Sequence, residues 1–265
     1  MSIKSSSLIK GTELAASAID IESLPDHKKP EQVRDEIPTL NKFGYMKFEF
    51  EEFSKAFVDY AKEATKPVLE IGTAYGWITH KVLETGATIV ASDISQEHLE
   101  VLLKDTPKDK VGNLSVIQGS FPDDINFPQG SFDAVLASRI FHFLEPNEVE
   151  KGLDKIHSWL VESGKLICTN CSIYHSSVKK QMLKTFEKRI AAGDKWPGIV
   201  SSQEEQDPVH KDYSRDFLNT FYKEQLEELL PKHGFKIEKI KYFDYPSDPW
   251  LDDNKGHIGF VARKV

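Results

Sequence analysis

The stretch Val68-Leu-Glu-Ile-Gly-Thr-Ala-Tyr-Gly-Trp-Ile-Thr79 sets a carboxylate, Glu70, two residues ahead of Gly72 and a second glycine, Gly76, four further on. A short apolar run, two glycines and then Ile78 and Val82 at helical spacing read as a buried strand, a tight turn and a helix. Glycines in such a turn let a ligand lie against the backbone. Turns of this kind usually take a phosphate on the free N–H groups of the helix start. A carboxylate repels phosphate. The residue types therefore point to a ligand that carries positive charge.

Two phosphate-binding alternatives fail on spacing. No segment supplies G-x-x-x-x-G-K-[ST]. A G-x-G-x-x-G fingerprint laid on Gly72 puts Ala74 second and Trp77 third, where helix and strand need a glycine to approach closely, so an NAD(P)-binding Rossmann protein is the weakest reading. Further along, Asp93 ends a second apolar strand, where a carboxylate can accept hydrogen bonds from both hydroxyls of a ribose. Asp93 could instead cap the next helix, but Ser95 already offers that function. Gln118-Gly119-Ser120-Phe121 follows a third strand, and Ser131 to His142 spans a fourth strand with the loop after it.

In order, over about residues 66–172, these segments resemble class I S-adenosylmethionine-dependent methyltransferases, with Ala74 standing where the family's loop has its middle glycine. The resemblance implies S-adenosylmethionine as cofactor and S-adenosylhomocysteine as product, with Glu70 attracting the cationic methionine end. It also implies that Gly72, Thr73, Ala74 and Gly76 form the loop against the cofactor, and that Asp93 holds the ribose and Ile94 lies on the adenine. Ser120 and Phe121 fall at the adenine edge, where the family often has an acid, a role Asp123 or Asp124 could take over. Ser138 and Arg139 lie along the methionine part, facing the acceptor.

The elements that position these residues follow from pattern. Apolar strands near 67–72, 88–93, 114–120, 132–138 and 165–174 alternate with amphipathic helices, which predicts a Rossmann-like, mostly parallel sheet with helices on both faces. Two closing strands, Phe235–Tyr245 and His257–Val265, bring the sheet to seven, the last one antiparallel. Residues 1–48 read as an N-terminal arm or lid, with 1–43 outside the main core, and 49–265 as the methyltransferase domain. Residues 176–213 read as an inserted helical and loop cover, with Trp196 and Pro197 lining it, and Ser214–Gly234 as a helix.

The acceptor pocket has four candidates. His142 follows the fourth strand, Tyr174 and His175 follow the fifth, and Tyr45 belongs to the arm with Lys47. No catalytic residue is demanded, because a sulfonium methyl needs an aligned nucleophile, and a base only when that nucleophile holds its proton tightly. Cys168 and Cys171 are the only cysteines. They are three apart on a strand, hence on opposite faces, and no metal site is expected from them.

A net charge of -8 disfavours nucleic acid as partner. The acceptor is read as a small molecule, with a protein side chain as the nearest variant and a non-catalytic S-adenosylmethionine-binding protein as the rival. No membrane span and no secretory signal are seen, and cytoplasm is the default location. A chain secreted on a non-cleaved signal would look the same.

Overall fold

The computed structural model describes residues 8–176, 178, 182–200, 217–246 and 253–265. The arm holds β1 (Glu13–Ala15) and a hairpin of β2 (Glu36–Pro38) and β3 (Tyr45–Lys47). Alternation then begins: α1 (Glu52–Ala61), β4 (Val68–Ile71), α2 (Trp77–Glu84), β5 (Ile89–Asp93), α3 (Gln96–Asp105), β6 (Leu114–Gln118), β7 (Phe132–Ser138), α4 (Pro146–Trp159) and β8 (Leu160–Cys171). The chain closes with α5 (Met182–Ala191), β9 (Ile199–Val200), β10 (Leu218–Asn219), α6 (Lys223–Lys232), β11 (Phe235–Phe243) and β12 (His257–Lys264).

The main sheet runs β1-β6-β5-β4-β7-β8-β12-β11. Strands β6, β5, β4, β7 and β8 are parallel, and β12 is antiparallel to both β8 and β11. The seven expected strands are present, and an eighth is added by the arm, with Leu14 pairing antiparallel opposite Val116. This corrects the placement of residues 1–43 outside the core: Leu8, Ala16 and Leu24 are buried with Leu99, Leu103 and Val116. Strand β1 adds through its backbone alone, with two of its three side chains exposed, so no apolar pattern betrays it.

Side-chain alternation divides the core between the two faces of the sheet. Leu69, Ile71 and Val135 face α4 and α6, while Val68, Ala134 and Leu136 face α1, α2 and α3. Glu70 falls on the second face, and burial there turns it toward α2. Capping follows the sequence. The Ser95 hydroxyl accepts the His98 N–H, and Glu145 and Glu148 form a capping box around Pro146.

Two expectations change. The helix expected from Ser214 begins only at Lys223, because Leu218 and Asn219 pair with Val200 and Ile199 as short strands. Residues 201–216, which include much of the expected insertion, lie outside those described. Trp196 packs edge-on to Phe221 in the core and does not line the pocket, and neither does Pro197.

The turn after β4 explains its glycines. Gly72 sits at φ +74, and a Cβ there would fall 2.0 Å from Ile140 Cδ1; Gly76 sits at φ +81, with Leu102 Cδ1 at 2.2 Å. Ala74 also adopts a left-handed φ, 48°. That conformation costs an L-residue about 1–2 kcal/mol, part of which glycine's looser unfolded state offsets. Ala74→Gly is therefore expected to raise the melting temperature by on the order of 2 °C in a thermal melt. A fall would show that the alanine methyl contributes more by packing than its backbone costs.

Candidate active site

The carboxyl ends of β4, β5, β6, β7 and β8, with the arm hairpin above them, enclose a cavity of about 300 Å³. Glu70, Gly72, Thr73, Ala74, Asp93, Ile94, Ser120, Phe121, Ser138 and Arg139 all line it. Gly76 does not; as the residue preceding α2 it lets Leu102 close against the turn.

Glu70 is buried and accepts hydrogen bonds from the Thr79 and Thr73 hydroxyls. Burial pushes its carboxyl up to about 7, the two hydroxyls offset part of this, and nearby Asp93 adds to the rise. Asp93 is a hub. Its Oδ2 accepts the Ala74 N–H at 2.8 Å, and its Oδ1 accepts the Ser95 N–H at 2.9 Å and lies 3.0 Å from His98 Nδ1. The Leu40 N–H donates to His98 Nε2 at 3.1 Å, so the proton of this ring is on Nδ1 and points at Asp93. His98 thus ties the arm to the acid that ends β5. Sequence reasoning missed it, because an i+5 partner of a strand-end acid leaves no local signature.

The hairpin rests on the turn itself. Ile37 and Met46 pack on Ala74 and Tyr75, and the Tyr75 hydroxyl donates to the Pro38 carbonyl at 2.9 Å. On the other side Arg139, itself at φ +57, donates from Nη2 to the Tyr45 carbonyl and lies over the Tyr245 ring. Lys47 is buried, paired with Glu36 at 3.1 Å and placed over the same ring at 4.9 Å.

Of the acceptor candidates, Tyr45, His142 and His175 line the cavity and Tyr174 does not. Tyr174 is 40% exposed and packs edge-on to Tyr242, because the turn after β8 points consecutive side chains apart. His142 is buried in a short turn, Phe141–Phe143, and its Nδ1 accepts the Cys171 N–H at 3.2 Å. Burial, then Arg139, holds its pKa well below the ordinary imidazole value. Asp123 and Asp124 do not compensate for Ser120. Asp123 pairs with Lys151 at 2.6 Å, and Asp124 accepts the Ser120 N–H and pairs with Lys10 at 2.9 Å. The sequence also gave no sign of Tyr245 and His257, which reach the cavity from the connection after β11 and from the start of β12.

A buried acid beside a left-handed glycine turn, a second acid at the next strand end and an apolar residue, Ile94, left 42% exposed at the cavity suit a nucleoside with a cationic tail. On this sheet order they define a Rossmann-like, nucleoside-binding fold. Residues 68–164 match the methyltransferase domain family. An uncharacterized methyltransferase of Anoxybacillus flavithermus is 24% identical over 170 residues, which is 64% of this chain and 69% of that protein. An S-adenosylmethionine-dependent methyltransferase from Mesorhizobium loti superposes with a TM-score of 0.56 at 16% identity, over 80% of this chain and 95% of the other. The 1,6-didemethyltoxoflavin-N1-methyltransferase of Burkholderia thailandensis, solved with bound 1,6-didemethyltoxoflavin and S-adenosylhomocysteine, gives 0.55 at 15% identity, over 81% and 79%. Residues 68–164 therefore carry a methyltransferase domain on the fold of S-adenosylmethionine-dependent methyltransferases, and S-adenosylmethionine is its cofactor.

Proposed function

We propose that the chain methylates a small molecule held beneath the arm hairpin. The reading is carried by one observation: the space beyond the cofactor turn is a small chamber partly covered by the arm hairpin, whereas a protein side chain favours a wide groove. In this reading Glu70 faces the cofactor's ammonium, Gly72, Thr73 and Ala74 lie along its methionine part, and Ser138 and Arg139 close the far side. Asp93 takes a ribose hydroxyl, Ile94 lies on one face of the adenine, and Ser120 and Phe121 border its edge. When bound, S-adenosylmethionine supplies a methyl group on a sulfonium sulfur, which a nucleophile displaces in line.

The chain's own residues align and dry that nucleophile. Because His142 Nδ1 already accepts the Cys171 N–H, the remaining hydrogen-bonding group of this neutral ring is Nε2–H, a donor. It orients the acceptor and does not take its proton. Residues 1–48 act as the lid and 49–265 as the catalytic domain. From the region after β8, Ser176 and Leu218 supply chamber wall, and Leu218 continues into the cluster of Val178, Met182 and Phe186. No described helix is long and apolar enough to cross a membrane, and Cys168 and Cys171 form no disulfide, which suits a cytoplasmic enzyme.

The test is S-adenosylhomocysteine formation with the small-metabolite and protein fractions of a lysate supplied separately. Turnover with the metabolite fraction is expected. Turnover with the protein fraction alone would make the acceptor a protein side chain, and tight cofactor binding with turnover in neither would make the chain a non-catalytic binder.

A further inference from the structure

Beyond the cofactor turn the chamber carries a second group of functional side chains that methyl transfer does not require. Cys171, His175 and His257 each offer one ligand atom, and these atoms lie within 4.8 Å of one another. All three residues line the same cavity. They come from one braced unit. Register places His257 directly opposite Cys171 on paired strands. The Ser172 N–H donates to the Gly256 carbonyl at 2.9 Å, and the Ser172 hydroxyl donates to the Lys255 carbonyl. The His175 N–H closes a turn on the Ser172 carbonyl at 3.1 Å. The backbone carrying all three ligands is therefore fixed before any ion arrives.

One thiolate and two imidazoles are a borderline-soft donor set suited to zinc. Tetrahedral zinc, with bonds of about 2.3 Å to sulfur and 2.0–2.1 Å to nitrogen, puts its ligand atoms roughly 3.3–3.7 Å apart. The trio must close by about 1 Å, within reach of side-chain rotation on a fixed backbone. Three protein ligands leave a fourth position open, which is the arrangement of catalytic zinc; structural sites use four. Cys168 does not compete for the ion. It points to the opposite face, into the core among Leu166 and Phe260, and accepts from Asn170 Nδ2 at 3.3 Å.

We propose that Cys171, His175 and His257 bind a zinc ion whose open position faces the acceptor chamber and takes the sulfur of a small thiol acceptor. The donor set argues for sulfur. Zinc with one thiolate keeps a single positive charge, which a second thiolate neutralises in a chamber walled by the Tyr245 and His175 rings, with centroids 4.9 and 4.8 Å from that of His257. On binding, the thiol S–H bond breaks and a zinc–sulfur bond forms. The proton goes to solvent and the water that held the fourth position leaves. The deprotonated sulfur needs no general base, which fits a His142 whose Nδ1 is already engaged. The expectation of no metal was argued from the strand positions of Cys168 and Cys171. The other ligands come from a turn and from the last strand, which only the fold brings together.

The thiol role rests on the methyl-transfer reading, whereas metal binding is measured without cofactor and stands or falls alone. The full chain, stripped with a chelator, is titrated with cobalt(II). Expected are one cobalt per chain, the intense visible bands of tetrahedral coordination and a sulfur-to-cobalt charge-transfer band in the near ultraviolet. Cys171→Ser should abolish the charge-transfer band and Cys168→Ser should retain it. His257→Ala should weaken cobalt binding at least tenfold. Adding 2-mercaptoethanol should strengthen the band by filling the open position. Absence of stoichiometric uptake, or a charge-transfer band that survives Cys171→Ser, overturns the site. A band unmoved by 2-mercaptoethanol overturns the open position and with it the thiol acceptor. If cobalt binds as stated but calorimetry finds no S-adenosylmethionine affinity, the methyl-transfer reading fails and the metal site remains.

Discussion

Asp93→Ala is expected to weaken S-adenosylmethionine binding by about 100-fold, measured by calorimetry on the purified chain. The estimate comes from counting lone pairs. A carboxylate offers about four acceptor positions. The Ser95 N–H and the His98 Nδ1–H fill both on Oδ1, and the Ala74 N–H fills one on Oδ2. A single position remains, so in the proposed reading Asp93 has room for one ribose hydroxyl, where the sequence had suggested both. Losing one charge-assisted hydrogen bond costs about 1.5–3 kcal/mol, or roughly 10- to 100-fold. The truncation also strands three buried donors, one of them in the cofactor turn, which moves the effect to the upper end of that range. His98 loses its anchor as well, and through it the Leu40 contact that holds the arm. Faster tryptic cleavage in the arm at Lys28 or Arg34 should therefore accompany the loss of affinity. An Asp93→Ala protein that melts like wild type and binds the cofactor within threefold would put the ribose elsewhere.

How far the sequence foretold this site depends on how local each signal is. Strands β4, β5 and β7 are buried along nearly their whole length, so each reads as a mostly apolar run without strict alternation. The glycine turn and Asp93 sit at the ends of such runs, where a parallel sheet must open to ligands, and so they were legible. So was the split of Cys168 from Cys171, because strand alternation is a local rule. Long-range pairing was not. Strand β1 joins through backbone bonds, and His257 gains meaning only from the register that sets it against Cys171. Periodicity alone also overshoots at Phe50: it continues the apolar period of α1, yet Glu51 caps that helix by accepting the Phe53 and Ser54 N–H groups, leaving Phe50 41% exposed outside it. The period extended past the helix because Phe50 has a partner of its own, the Trp77 ring at 4.7 Å.

Glu70→Gln is expected to make the cofactor-free protein more stable above neutral pH and a poorer binder, two effects with one origin. The ordinary glutamate value is 4.5, and burial raises Glu70 to about 7. Between those values the unfolded chain has lost this proton and the folded chain keeps it, so folding stability falls as pH rises from 4.5 toward 7 and levels off above. The full loss is about 3 kcal/mol. Glutamine can still accept from Thr79 and Thr73 but has no charge to desolvate. Its stability should be flat across that window, and its melting temperature at pH 8 higher by on the order of 5 °C. Binding runs the other way. A cationic ligand needs the ionised carboxylate, so wild-type affinity should rise up to tenfold per pH unit on approaching 7, with a proton released on binding, and then level off. In Glu70→Gln that slope should vanish and affinity at pH 8 should drop by at least tenfold. Calorimetry in buffers of different ionisation enthalpy reads the released proton directly. Equal pH profiles for the two proteins would mean that Glu70 does not face the cofactor's charge and that its burial serves only to brace α2 against β4.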